Sequence, residues 1–423
     1  MAKNINLPYG CSFLSVKIES ESNLTIFDKK RHDNQILSTP EVSNIIKRYF
    51  NDQMSDYKNI SAIQVAITVN DKTRPVPNDQ LLLPLLQVLN GFRIPEKSIK
   101  IFIASGTHTP MRKEEYYLIL PKSVYKNFQV LPHNCDDLTN LSYLGVTSRN
   151  TSVFVNKKFY ESDLKIVIGD IEPHHFAGFS GGVKSAAIGL GGRTTINQNH
   201  TLLVNQNSIV GNFYTNPLRQ DIEEIGKMIG IDYAINAILD EDKNILRVFC
   251  GEPSSVMEQG IVFSKNLNST PIKDPFDLVI ASAGGFPKDI NFYQAQKALT
   301  HASLFCKKGG MVILVAECIE GIGSEKYLQF MNGMTSHTQV SENFSKTGFQ
   351  VGPHKAFQVA KISSKVNFKL FSSIPADLLT KLLILPISDL QTELTNCIAD
   401  LPEDARIAVI PYATARIPEF LED

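Results

Sequence analysis

Residues 172–200 read EPHHFAGFSGGVKSAAIGLGGRTTINQNH, placing His174, His175, Lys184 and His200 around a run of glycines. A glycine-rich loop ending in Lys-Ser suits phosphate, because backbone N–H groups wrap the phosphates and the lysine reaches over them. Histidines suit metal binding or proton transfer. Neither simple form fits. A phosphate loop carries glycine immediately before its lysine, and this chain has Val183 there. The neighbouring GLGGRT has Thr194 where a dinucleotide loop needs its third glycine. For a protein-only metal site there is no H-E-x-x-H and no cysteine or carboxylate cluster at ligand spacing; Lys184 and His200 lie sixteen apart. If His200 is a ligand, the other donors come from something else.

Such residues need a scaffold. IQVAITV, KIFIAS, LKIVIG, FDLVIAS and GGMVILVA are near-continuous apolar runs, each followed by a turn and a helix-like pattern. That alternation is the mark of parallel sheets covered on both faces. The expected fold is α/β: two doubly wound Rossmann-like domains with a cleft between them. The polar segment KNLNSTPIKDP suggests a boundary, giving domains 1–270 and 271–423, with the last strand able to pack back on the first domain.

In open parallel sheets ligands bind beyond the carboxyl ends of the strands. Those positions hold Asp71 and Arg74; Ser105, Thr107 and His108; Glu172, His174 and His175, leading to Lys184 and His200; then Tyr293, Gln294 and Lys297; and Glu317 and Glu320. Each also has a plainer reading. Arg74 could pair with Asp71, and His108 could help cap a helix. Adjacent His174 and His175 should point apart, so that one only packs or faces solvent. Tyr293 and Lys297, at i and i+4, could be a solvated helix face. His133 reads as structural.

Composition narrows the class. A formal net charge of −1 over 423 residues argues against nucleic acid or an anionic membrane as partner. The longest apolar run, LLLPLLQVL, is too short for a membrane span and contains Pro84. No secretory leader is evident, and the six cysteines are scattered, as expected of reduced thiols in the cytoplasm.

HHFAGFSGGVKS…NQNH, together with NDKTRPVP, SGTHTP and NFYQAQKAL in the same order, resembles the nickel-dependent lactate racemase family. The resemblance implies a racemase or epimerase that inverts C2 of a 2-hydroxy acid by reversible hydride transfer to a nickel-pincer nucleotide. That cofactor is a Ni(II) complex of pyridinium-3-thioamide-5-thiocarboxylic acid mononucleotide, supplied by its own biosynthesis enzymes. It implies Lys184 as covalent tether, His200 as the protein's nickel ligand, and His108 and His174 as the acid/base pair. Asp71, Thr107, Gly181 and Gly182 would lie at the cofactor, the glycines giving its phosphate room to approach. Arg74, Tyr293, Gln294 and Lys297 would bind substrate.

Lys72, Val183 and His175 depart from the family pattern, and His175 stands where an apolar aromatic is usual. These leave the 2-hydroxy acid open. Two alternatives compete: a non-catalytic protein that binds the pincer cofactor, and a cofactor-independent two-base epimerase. The second leaves Lys184 and His200 without a task.

Overall fold

The computed structural model describes residues 2–19, 23–28, 36–54, 63–240 and 242–421. The chain divides into a central unit, residues 32–267, and a split unit made of 1–31 with 268–423.

The central unit is built on β1 (Val65–Asn70), β2 (Ile99–Ala104), β3 (Gln129–Pro132), β4 (Leu164–Asp170), β5 (Tyr233–Leu239) and β6 (Ile245–Gly251). Their order across the sheet is β6-β5-β4-β1-β2-β3, and every pairing is parallel except β5 with β6. Both faces are covered, so Val65, Ile67, Val69, Ile101, Ile103, Ile166 and Ile168 are all buried in one core with α1 (Asn78–Gly91). Each such side chain contributes about 1.5–3 kcal/mol on burial, which is why these strands carry few polar residues. Strand order reverses between β1 and β4, making their carboxyl ends the topological switch point where ligands bind such sheets.

Two further helices of this unit matter for the site. α2 (Arg193–Thr201) carries His200 near its end. α3 (Pro217–Ile229) has a strong local code: Asn216 caps it by accepting the Arg219 N–H, Pro217 opens it, and Gly230, at φ +71°, ends it.

The split unit carries β7 (Phe276–Ser282), β8 (Cys306–Val315), β9 (Asn367–Phe371), β10 (Leu385–Ile387) and β11 (Ile407–Ile410). With the short strand Leu24–Ile26 they form an all-parallel sheet, in the order β10-β9-β8-β7-β11 and then Leu24–Ile26. Here the expected domain ranges need correction. Residues 1–31 belong with the C-terminal portion, because Leu24–Ile26 fills the free edge of β11 and the hairpin residues Ile5, Leu7, Val16 and Ile18 pack with Leu278, Ile280 and Ile313. The last strands also stay in this unit: β11 lies beside β7, and Ile417–Phe420 pairs with Ser269–Ile272. Among the described residues no helix is long and apolar enough to cross a membrane.

Candidate active site

Asn70 and Asp170 end the two strands of the central switch point, and Asn70 Nδ2 donates to Asp170 Oδ1 at 3.3 Å. The next residue, Asp71, is buried at 4% exposure. Its carboxylate accepts from Thr73 N–H (3.0 Å), from Thr73 Oγ1 (2.6 Å) and from His108 Nδ1 (2.7 Å). Burial alone would raise the Asp71 pKa, but the hydrogen bond and charge of His108 and the two Thr73 bonds outweigh it and hold the group below its ordinary value. An ionised carboxylate only accepts. His108 therefore carries its ring proton on Nδ1 and presents Nε2 as the lone-pair nitrogen, on a side chain 47% exposed. Asp71 orients His108; Arg74 meets it only through the backbone, by an N–H to Asp71 O turn bond of 3.0 Å. Thr107 is half-buried in the turn before His108, which Gly106 N–H ties to Gly189 O at 2.9 Å.

His174 is set the opposite way. It sits in a two-residue hairpin, His174 opposite Gly178, and its Nδ1 accepts the Ala177 N–H at 3.2 Å. In the neutral ring the proton then lies on Nε2. The expectation that His174 and His175 point apart fails: their rings stack at 4.5 Å with 22° between planes, and Phe176 meets both edge-on. Strand alternation does not persist through a hairpin of two residues per arm. Phe176 also stands 5.2 Å from the His200 ring, so these side chains form one aromatic cluster.

Lys184 opens a single helical turn, Lys184–Ala187, and is 7% exposed. Its pKa lies well below the ordinary lysine value, driven by burial and then by the charges of Arg74 and Arg219, with Asp170 and Glu172 opposing. Burial and the two neighbouring cations thus favour the uncharged, nucleophilic form of the amine. The pKa of His200 is pushed down to about 3, by burial first and then by Lys184 and Arg74. Its Nδ1 lies 3.0 Å from Asn199 Oδ1. Asn199 Nδ2 donates to Leu218 O (3.0 Å) and Asp221 Oδ2 (2.9 Å), which fixes the amide with Oδ1 toward the histidine. His200 Nδ1 thus donates, leaving Nε2 as the lone-pair nitrogen, the arrangement metal-ligating histidines use. Arg74, exposed, supplies positive charge to the same neighbourhood.

Gly181 and Gly182 differ from expectation. Both have positive φ, +79° and +59°, and a Cβ would stand 2.5 Å from Ile171 Cγ1 at the first and 2.7 Å from Met257 Cγ at the second. Gly182 N–H is bonded to Asn236 Oδ1 at 2.7 Å. These glycines let the chain turn tightly against its own core, and the Gly182 donor is already used within the protein.

Tyr293, Gln294 and Lys297 belong to the split unit, in the first turns of α4 (Phe292–Phe305), which Asn291 caps by accepting the Gln294 N–H. Lys297 Nζ donates to Gln294 Oε1 at 2.7 Å. Tyr293 is half-buried, with the Lys355 ammonium 5.3 Å from its ring centroid and the His354 ring at 6.1 Å; burial pushes its phenol up to about 12.

Residues 9–211 match the lactate racemase N-terminal domain family and residues 272–417 the lactate racemase C-terminal domain family. The chain is 31% identical, over 77% of each chain, to a lactate racemase of Thermoanaerobacterium thermosaccharolyticum. It belongs to the lactate racemase family. A lactate racemase of Lactiplantibacillus plantarum is 34% identical over 62% of each chain. The lactate racemase apoprotein structure from T. thermosaccharolyticum superposes with a TM-score of 0.83 at 26% identity, covering 99% of this chain and all of that one. A Thermotoga maritima protein shares the fold, with a TM-score of 0.68 at 16% identity over 92% of this chain and all of that one.

Several groups that shape the site of this racemase escaped the reading of its sequence: Thr73, Asn199, Arg219, Asp221 and Asn236. Arg219 and Asp221 were discoverable in principle, since they flank the apolar stripe Leu218–Ile222–Ile225–Ile229 of α3 and are fully buried with it. His133 is structural: Nε2 donates to Gly191 O at 3.0 Å, Nδ1 accepts from Asn156 Nδ2 at 3.3 Å, and burial lowers its pKa.

Proposed function

We infer that this racemase inverts C2 of a 2-hydroxy acid, with a nickel-pincer nucleotide tethered to Lys184 and ligated by His200. The observation that carries the reading is a buried lysine, its pKa lowered by burial and neighbouring cations, in the same charge field as a histidine whose Nδ1 is anchored by Asn199 and whose Nε2 is the lone-pair nitrogen. One group is ready to form a covalent bond and the other to complete a donor set brought by a cofactor. When bound, the nucleotide supplies a reversible acceptor for the hydride leaving C2.

The chain's own residues handle protons and orientation. His108 Nε2 takes the hydroxyl proton of one enantiomer while Asp71 stabilises the imidazolium that forms. His174 returns the Nε2 proton of its imidazolium to the keto oxygen when the other enantiomer forms; the neutral ring left behind keeps its other proton on Nδ1, which requires the 3.2 Å Ala177 N–H contact to open during turnover. The reverse reaction exchanges the two roles. Arg74 offers a planar cation for the substrate carboxylate, and Tyr293, Gln294 and Lys297 keep the substrate-orienting roles implied by resemblance. Lactate is the first substrate to test, with malate-like, aryl and sugar 2-hydroxy acids beside it, because His175 stacks on His174 and changes the wall next to the proton carrier.

Mass spectrometry of the Lys184 peptide, from protein produced alongside the cofactor-synthesis enzymes, tests the tether. Absence of an adduct there sinks the reading. With adduct present, C2-deuterated substrate is expected to give a primary isotope effect, and His108→Ala and His174→Ala are expected to be inactive while still loaded.

A further inference from the structure

Arg219 is a cation with no solvent exposure, and the proton-transfer scheme gives it no task. Burying a guanidinium is costly unless its donors and charge are met, so its partners are informative. Nη1 donates to Phe179 O at 2.8 Å, Nη2 to Gly181 O at 3.0 Å, and Nε to Glu223 Oε1 at 2.8 Å; the group also lies 4.9 Å from the Phe213 ring centroid. The two carbonyls belong to the residues on either side of Ser180, in the turn that delivers Lys184. Gly182, next along, has no room for a side chain, since a Cβ would stand 3.1 Å from Arg219 Nη2 as well as against Met257.

We propose that Arg219 is a positioning residue for Lys184: its fork locks the Phe179 and Gly181 carbonyls and sets the glycine turn that leads to the lysine, and its fixed positive charge adds to the field at the amine. A lysine could carry the charge but not the fork, because two carbonyls in a fixed geometry need the planar guanidinium. Arg74 and Arg219 oppose protonation of the Lys184 amine, Asp170 and Glu172 favour it, and His200 lies within the same field. Glu223 offsets Arg219 from within the same helix. The tether role of Lys184 rests on the function proposed above; the Arg219 assignment is tested without any cofactor.

The probe is potassium cyanate, a small reagent that carbamylates neutral amines. Lys184 labelling is followed by peptide mass spectrometry against pH, on protein produced without the cofactor-synthesis enzymes. Arg219→Met is expected to move the labelling midpoint upward, cutting the rate at pH values below the parent midpoint about three- to tenfold, a unit of midpoint being tenfold there. Glu223→Gln keeps the fork but removes the counter-charge, and is expected to move the midpoint downward. Altered access scales the rate at every pH and leaves the midpoint in place, so the two effects separate. Arg219→Lys is expected to restore most of the midpoint yet leave the 179–183 turn exchanging amide hydrogens faster than the parent. Unmoved midpoints in both Arg219→Met and Glu223→Gln overturn the proposal; if Arg219→Met does not fold, an unmoved midpoint in Glu223→Gln does so alone. Shifted midpoints with no Lys184 adduct in co-produced protein would leave Arg219 in place and reject the tether.

Discussion

Replacing Asp71 by asparagine isolates one interaction. The substitution preserves shape, and its carbonyl oxygen can still accept from Thr73 N–H and Oγ1, which hold the present carboxylate at 3.0 and 2.6 Å. What disappears is the negative charge 2.7 Å from His108 Nδ1 together with the acceptor there, because the amide nitrogen takes the place of Oδ2 and favours the tautomer protonated on Nε2. Hydrogen bonds to a charged group contribute about 1.5–3 kcal/mol, and Asp71 is buried enough for that range to apply, although His108 is half exposed and draws the expectation to the lower part. The charge alone predicts a loss in kcat/KM of about ten- to fiftyfold, and the reversed tautomer enlarges it. Because enantiomers are equal in free energy, kcat/KM must fall by the same factor in both directions. The assay is chiral chromatography of initial rates from each enantiomer, on enzyme whose nickel content and Lys184 adduct match the parent. Full activity in the loaded Asp71→Asn protein would refute the view that this carboxylate supports the His108 imidazolium. Activity lost only in proportion to missing cofactor would refute it equally, by moving Asp71 to cofactor loading.

Other outcomes follow from the same geometry. Asn199→Ala removes the acceptor on His200 Nδ1, so nickel retention in a competing chelator should weaken about 10–100-fold while the Lys184 adduct mass is unchanged. Lys184→Met should stabilise the apoprotein against urea. Between the lowered native value of Lys184 and its ordinary 10.5 the unfolded chain binds the extra proton, so parent stability rises with pH and the variant's advantage grows on acidification and vanishes above 10.5. His200 acts the same way over a lower window: its native pKa of about 3 against an ordinary 6.5 removes stability as pH falls from 6.5 toward 3, and His200→Asn should flatten that slope in apoprotein melts. Gly182→Ala places a Cβ 2.7 Å from Met257 at φ +59° and should cost about 1–3 kcal/mol in denaturant titration.

The sheets were legible because β1, β2, β4 and β7 bury most of their residues, and β8 its last four, and so read as apolar runs. The chemical side chains were legible by type, since His108, His174 and Lys184 follow strand ends. Three things were not. The pairing of Leu24–Ile26 with β11 joins residues nearly the whole chain apart, and no local pattern encodes a partner. The glycines of the 178–182 turn looked like room for a ligand, whereas Ile171, Met257 and Asn212 occupy the space a side chain would need. The proton positions on His108, His174 and His200 depend on Asp71, Ala177 and Asn199, and only the fold says which nitrogen each one faces.

Helix α3 reaches three working stretches. Asn216, its cap, donates to Phe176 O beside the paired histidines; Arg219 grips the turn before Lys184; Leu218 O and Asp221 hold Asn199 beside His200. A damaged loop would disable one of these tasks and spare the others. Detachment of this one helix would end all three together, so heat or denaturant should abolish racemisation and any metal retention by His200 in a single step, while a covalent adduct on Lys184 would outlast the fold.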